Sequence, residues 1–213
     1  MIFGVHSSGT INSYFPTIVR TIGYGQTVTL LLTAPPYLLS CIVALGVALN
    51  SDRTGERYLH FIIPTALSVV GYIISMVTLN TAARYFSMMI MLPGVYTAFI
   101  IGTTWMANCL PRPPAKRAAA LALAGTFANC SSIYGPFLYP HSTAPRYLLA
   151  IGVNAGTAIL SVVVATFLRV HLQRLNRKLD VAELGTSNTS GSTETRPEAT
   201  GAAVGTASFR YLY

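Results

Sequence analysis

Charge is scarce in this sequence. Of its 213 residues only 9% are Asp, Glu, Lys or Arg, where soluble domains carry about 25%. Acidic groups are scarcer still. Asp52, Glu56, Asp180, Glu183, Glu194 and Glu198 are the whole set, and none lies inside an apolar run. With 52% hydrophobic residues, this poverty of charge excludes a soluble globular surface and points to a membrane protein. Cysteine is equally uninformative as chemistry. Cys41, Cys109 and Cys130 are odd in number, far apart and embedded in apolar runs. Without a CxxC or a His/Cys cluster, no metal or other cofactor is expected, and the three are expected to be buried small hydrophobes. No spaced Ser/His/Asp set and no HExxH occurs, so no catalytic residue is assigned and an enzyme is not expected. The net charge of +8 does not indicate nucleic acid, because the basic residues sit at the ends of apolar runs and form no patch with interleaved aromatics. Residues 1–19 lack the basic start and long apolar core of a signal peptide.

What is present is a series of long apolar runs. A spanning helix needs about 20 such residues. Runs at 27–49 ("TVTLLLTAPPYLLSCIVALGVAL"), 59–79, 85–108, 118–139 and 147–170 each supply them. Alternating barrel patterning is absent, and lipid offers backbone groups no partner, so the runs are expected to be helices. Pro35, Pro36, Pro64, Pro93 and Pro136 fall inside them; membrane helices tolerate such breaks where neighbours re-satisfy the freed carbonyls. The GxxxG of Gly152 and Gly156, and the row Ala118, Ala122, Gly125, suggest close helix packing. A further segment, 2–19, holds His6, Ser7, Ser8, Thr10, Asn12 and Ser13 in its first half. It reads as a cavity-lining helix with its beginning cut off. The expectation is an all-α transmembrane bundle of about six helices over 1–172, the first one truncated. From Gln173 large apolar residues almost vanish, so 173–213 is expected to be a disordered tail.

Lys and Arg set the orientation. With sides alternating, one side receives Arg53 and Arg57, then Arg112, Lys116 and Arg117, then Arg174, Arg177 and Lys178. The other receives only Arg20, Arg84 and Arg146. The first side is expected to be cytoplasmic, and the tail with it.

That places the bend "SDRTGER", residues 51–57, at the cytoplasmic surface. As a simple turn, Gly55 permits the bend while Arg53 and Arg57 hold it inside. The same residues resemble the D-R-x-G-(R/E)-R loop of the major facilitator superfamily. The strings "YFPTIV", "LLTAPPY" and "RPPAKRAA" strengthen the likeness, which covers about residues 9–180. Together they resemble the second half of fungal permeases of the allantoate-permease-like anion:cation symporter branch. The resemblance implies a C-terminal six-helix half of a twelve-helix fold, with substrate held between halves near the midplane. It implies an integral multi-pass protein, expected in the plasma membrane, that moves a small organic anion or related metabolite by alternating access. Asp52, Arg53, Gly55 and Arg57 would form a cytoplasmic gating loop. Partners would be the lipid bilayer, a small organic solute, and a missing N-terminal half or another permease chain, with no nucleic acid.

In that family the seventh, eighth, tenth and eleventh helices face the cavity. The resemblance then makes Asn12, Tyr14, Tyr37, Tyr96, Asn129 and Tyr134 candidates for the substrate pathway, with His6, Trp105, Asn108 and Ser132 in the same helices. Polar groups inside a membrane are costly unless they face protein or water, but Asn and Tyr also join helices to one another and belt the interface. No Asp or Glu lies in any span, so a proton-coupled carrier would titrate a histidine here or a group elsewhere. A second reading stays open: a non-transporting fragment, or a membrane protein that binds a full-length permease.

Overall fold

The computed structural model describes residues 1–11, 26–78, 80–110, 114–140 and 147–190. Seven helices fill them: α1 (Ile2–Ser8), α2 (Gln26–Thr54), α3 (Tyr58–Val77), α4 (Thr81–Cys109), α5 (Pro114–Asn129), α6 (Ser131–Leu138) and α7 (Leu148–Ser190). No strand occurs among the described residues. Four stretches, Leu30–Thr54, Tyr58–Val77, Ala82–Cys109 and Leu148–Lys178, are long and apolar enough to cross a membrane. The chain is an all-α, multi-pass integral membrane protein.

Helix α4 is the centre of the bundle. It packs on α3 and α2, while α3 also packs on α7, and α1 lies against α4, α5, α6 and α7. The reason is a stripe at helical spacing: Met88, Met91, Leu92, Val95, Ala98, Ile101 and Trp105 are all buried. Helix α2 shows the opposite pattern. Leu31, Leu38, Ile42, Leu45 and Leu49 also follow helical spacing, yet they face outward. Hydrocarbon solvates such a stripe, whereas water would not.

Helix starts and breaks have local causes. Asn80, in extended conformation, caps α4 by accepting a hydrogen bond from the Ala82 amide at 3.1 Å. Inside α2, Pro36 has no N–H to give the Leu32 carbonyl one turn back. The Tyr85 hydroxyl on α4 donates to that carbonyl instead, at 3.0 Å. A proline that looks like a defect therefore ties α2 to α4.

The closest packing falls at glycines outside the GxxxG pair. A Cβ on Gly94 would lie 2.5 Å from the Pro64 carbonyl oxygen, and one on Gly4 would collide with Ser161 Oγ. Those contacts fix the α3–α4 and α1–α7 crossings. Gly156 and Gly125, by contrast, have nothing within 4 Å. Gly152, the other half of the GxxxG, does meet α3: a Cβ there would lie 3.3 Å from the Met76 methyl.

Three further expectations need correction. The 118–139 run is two helices, not one. At the break Ser131 Oγ donates to the Ala128 carbonyl at 2.8 Å, and the Asn129 amide donates to the Gly125 carbonyl at 2.9 Å. Side chains take acceptors that the backbone ladder would use, and Pro136 removes another donor one turn on. Helix α7 continues past Gln173 to Ser190, because Leu168, Leu172 and Leu175 extend its inward stripe against the core. The rest of the expected tail lies outside the described residues. Cys41 and Cys130 are exposed and Cys109 is half-buried; lipid accepts a small apolar side chain on an outward face as readily as a core does.

Candidate functional site

Helices α1, α4 and α6 enclose a cavity of about 410 Å³. Val5, Val95 and Phe99 form its apolar wall, and His6, Thr10, Tyr96 and Ser132 bring polar groups to it. Gly9 ends α1 at the cavity edge, and Pro136 completes the α6 side. Tyr96 and Phe99 are three residues apart, so the two rings share one face of α4. No Asp, Glu, Lys or Arg lines the space among the described residues.

The hydrogen bonds of α1 hold this wall in place. His6 Nδ1 lies 2.8 Å from Ser131 Oγ. The Ser131 proton is given to Ala128, so Nδ1 carries the proton and donates. The hydroxyls of Ser7 and Tyr134 bond to each other. Tyr72 donates to the Ser8 carbonyl at 2.6 Å. Thr10 Oγ1 lies 2.9 Å from the Ser7 carbonyl and 3.1 Å from Asn154 Oδ1, and the Asn154 amide donates to Tyr139 at 2.9 Å. A short polar helix is thus anchored on all sides, which is how it tolerates an apolar bundle. The His6 ring meets Phe99 edge to face, with centroids 5.7 Å apart.

Measured against the residues named from sequence, the cavity takes some and leaves others. Tyr96 lines it. Tyr37 stands behind Tyr96, with ring centroids 6.1 Å apart. Tyr134 sits on α6 but turns its hydroxyl to Ser7 rather than into the cavity. Asn129 is exposed at the break, and its amide is held by its own helix. Asn12 and Tyr14 lie outside the described residues. Trp105 is fully buried between Tyr58 and Phe61, with centroids 6.4 and 6.3 Å away, and belongs to the core. Sequence reasoning names Thr10 in a cavity-lining helix, as the structure has it, but does not name Phe99; the signal for Phe99 is its spacing from Tyr96.

The charged bend is a second ordered site. Helix α2 ends at Thr54, Gly55 turns the chain at φ +70°, and α3 begins at Tyr58. The left-handed φ suits glycine because it lacks a Cβ. Arg57 pairs with Asp52 at 2.5 Å and donates to Ser51 Oγ at 3.3 Å, while Ser51 donates to the Glu56 carbonyl at 3.1 Å. Arg57 is buried, and Asp52 is 60% exposed. His60 closes the loop: its Nδ1–H donates to the Glu56 carbonyl at 2.8 Å, and its Nε2 accepts from Asn50 at 2.9 Å. Arg53 is exposed on the last turn of α2, where a cation complements the helix dipole.

Comparison with known proteins adds a class to this geometry. An uncharacterised transporter of Schizosaccharomyces pombe is 30% identical over 169 residues, covering 79% of this chain and 34% of that protein. An MFS-type transporter of Penicillium expansum is 30% identical over 178 residues, 79% of this chain and 34% of its own length. The high-affinity nicotinic acid transporter of Saccharomyces cerevisiae is 24% identical over 163 residues, 76% of this chain and 30% of its own. The chain is therefore similar to fungal transporters of the major facilitator type over most of its length. It spans about a third of the length of these curated relatives. No family profile and no solved structure matches it.

Proposed function

We propose that this chain is part of a secondary transporter that carries a small organic anion across a membrane by alternating access. The observation that carries the reading is the uncharged, aromatic cavity between α1, α4 and α6, set inside a bundle of membrane-spanning helices. Phe99 and Tyr96 offer faces and edges to a planar solute, and Ser132 and the Tyr96 hydroxyl offer hydrogen bonds. Similarity to transporters, one of them named for nicotinic acid, supports a planar monocarboxylate as the substrate class. Tyr96 touches the solute, and Tyr37 and Tyr134 brace it; Asn12 and Tyr14 are kept as pathway candidates, while Asn129, bonded back to its own helix, is not.

The same proposal assigns the chain to the allantoate-permease-like branch and makes it the C-terminal six-helix bundle of a twelve-helix carrier. The support is the resemblance of "SDRTGER", "LLTAPPY" and "RPPAKRAA" to that branch. Alternating access then consists of this bundle rocking against a partner bundle. Asp52 and Arg57 act as a latch at one end, since an exposed carboxylate can exchange one arginine partner for another as the halves move. The basic loops and the segment after α7 are cytoplasmic, and the protein resides in the plasma membrane.

Uptake of radiolabelled nicotinate into proteoliposomes that contain the chain joined to the partner bundle of a related fungal carrier tests the proposal. The expected result is saturable uptake that unlabelled carboxylates compete away. Uptake no faster than in protein-free liposomes contradicts it.

A further inference from the structure

Among the described residues the cavity holds no fixed positive charge, yet the solute proposed for it is an anion. This inference rests on that reading of the cavity and asks what neutralises the anion there. Four ionisable or polar groups reach the space: His6, Thr10, Tyr96 and Ser132. Thr10 is engaged with Ser7 and Asn154, and Tyr96 and Ser132 stay neutral over the physiological range. Among these described groups only His6 can become a cation.

Its bonding favours that role. The Ser131 hydroxyl gives its proton to the Ala128 carbonyl at 2.8 Å and so must accept from His6 Nδ1, also at 2.8 Å. The Nδ1–H is thereby fixed, and Nε2 is the nitrogen left to gain or lose a proton. Among the described residues protonation at Nε2 disturbs no existing bond: Ser131 still accepts from Nδ1, and the ring turns from a neutral donor–acceptor into a cation with a second donor. The Phe99 edge contact at 5.7 Å and the Ser131 bond hold the ring in the wall before any solute arrives. Around it, α4 brings Tyr96 and α6 brings Tyr134, the latter bonded to the neighbouring Ser7. The last turns of α5 hold no ionisable side chain, and α7 meets α1 through the neutral Asn154, Thr157 and Ser161. No competing carboxylate is brought to the ring among the described residues.

We infer that His6 is the cation of the cavity: a carboxylate binds against its Nε2–H, and one proton is taken from solution with each anion. The bound pair is then imidazolium and carboxylate, net neutral, and the proton leaves Nε2 when the anion leaves. Binding therefore needs the protonated ring. Above the pH at which free His6 titrates, affinity falls about tenfold per pH unit, because the competent fraction falls by that factor.

The test uses the chain in lipid nanodiscs, with labelled benzoate as the anionic probe and benzamide as its uncharged isostere. Affinity is measured from pH 5 to 9, and protons taken up are counted by calorimetry in buffers of different ionisation enthalpy. The expected result is benzoate binding that weakens with rising pH and takes up close to one proton above the His6 titration. Benzamide binding is expected to be flat with pH, and His6→Gln should remove both the slope and the proton. An unchanged slope and proton count in a folded His6→Gln overturns the role of His6 while leaving the cavity as a solute site. If that variant does not fold, the wild-type count decides: zero protons with benzoate overturns the inference. Absence of saturable binding of either probe by the folded wild type overturns the reading of the cavity, and this inference with it.

Discussion

Replacing Tyr85 by Phe removes one hydroxyl and leaves the Leu32 carbonyl without the donor that stands in for the missing amide of Pro36. The cost follows from the geometry. An acceptor left unpartnered in a protein interior costs about 1–3 kcal/mol. Hydrogen bonds measured between membrane helices average about 0.6 kcal/mol and reach about 1.7. Tyr85 and Leu32 are both half-buried, so the lower range applies, and we expect Tyr85→Phe to lose about 0.5–1.5 kcal/mol. That is about a two- to tenfold change in the unfolding equilibrium. The decisive element is the second background. Pro36→Ala restores an amide that can reach Leu32, so Tyr85→Phe should cost almost nothing there. The four proteins complete a double-mutant cycle. Unfolding in mixed micelles can be followed by the fluorescence of Trp105, the only tryptophan in the chain, which is buried against Tyr58 and Phe61. Equal losses with the proline present and in the Pro36→Ala background would refute the claim that Tyr85 compensates for the proline.

Other outcomes follow from single contacts. Gly94→Val puts a branched side chain where even a Cβ would lie 2.5 Å from the Pro64 carbonyl; a loss of about 1–3 kcal/mol is expected, and unchanged unfolding would show that α3 and α4 do not cross there. Asp52→Asn removes the charge from an exposed partner of Arg57, so stability should change by less than about 1 kcal/mol while transport slows. Normal uptake by that variant sinks the gating role. Phe99→Ala should weaken aromatic solutes by about 0.5–1.5 kcal/mol and leave aliphatic carboxylates nearly unaffected, which competition binding would reveal.

Much of the bundle was legible because its signals are compositional. Long apolar runs without charge must become helices in lipid, and the prolines only bend that rule. The outward stripe of α2 and the inward stripe of α4 could not be told apart from sequence, since both are apolar at helical spacing. Only contacts separate lipid-facing Ile42 from buried Leu92. The break at Cys130 was hidden for a related reason: Asn129 read as pathway polarity and Ser131 went unnamed, but the side chains of both bond backward to their own segment. His6 was visible as an unusual polar residue, yet its value depends on Ser131, 125 positions away. Trp105 stood beside the pathway candidates in the sequence, because an aromatic in a cavity-facing helix looks functional until Tyr58 and Phe61 are seen to bury it.

The central claim is that the space between α1, α4 and α6 is a water-accessible site for an anionic solute. Cysteine accessibility at Ser132 tests it most directly, with Cys41, Cys109 and Cys130 first replaced by alanine. Ser132→Cys should react with a membrane-impermeant thiol reagent, and benzoate should slow that reaction. A control at Ile42→Cys, on the outward face of α2, should stay unreactive in hydrocarbon. A thiol at position 132 that is as inert as the one at position 42, or whose labelling benzoate leaves unchanged, would contradict the account.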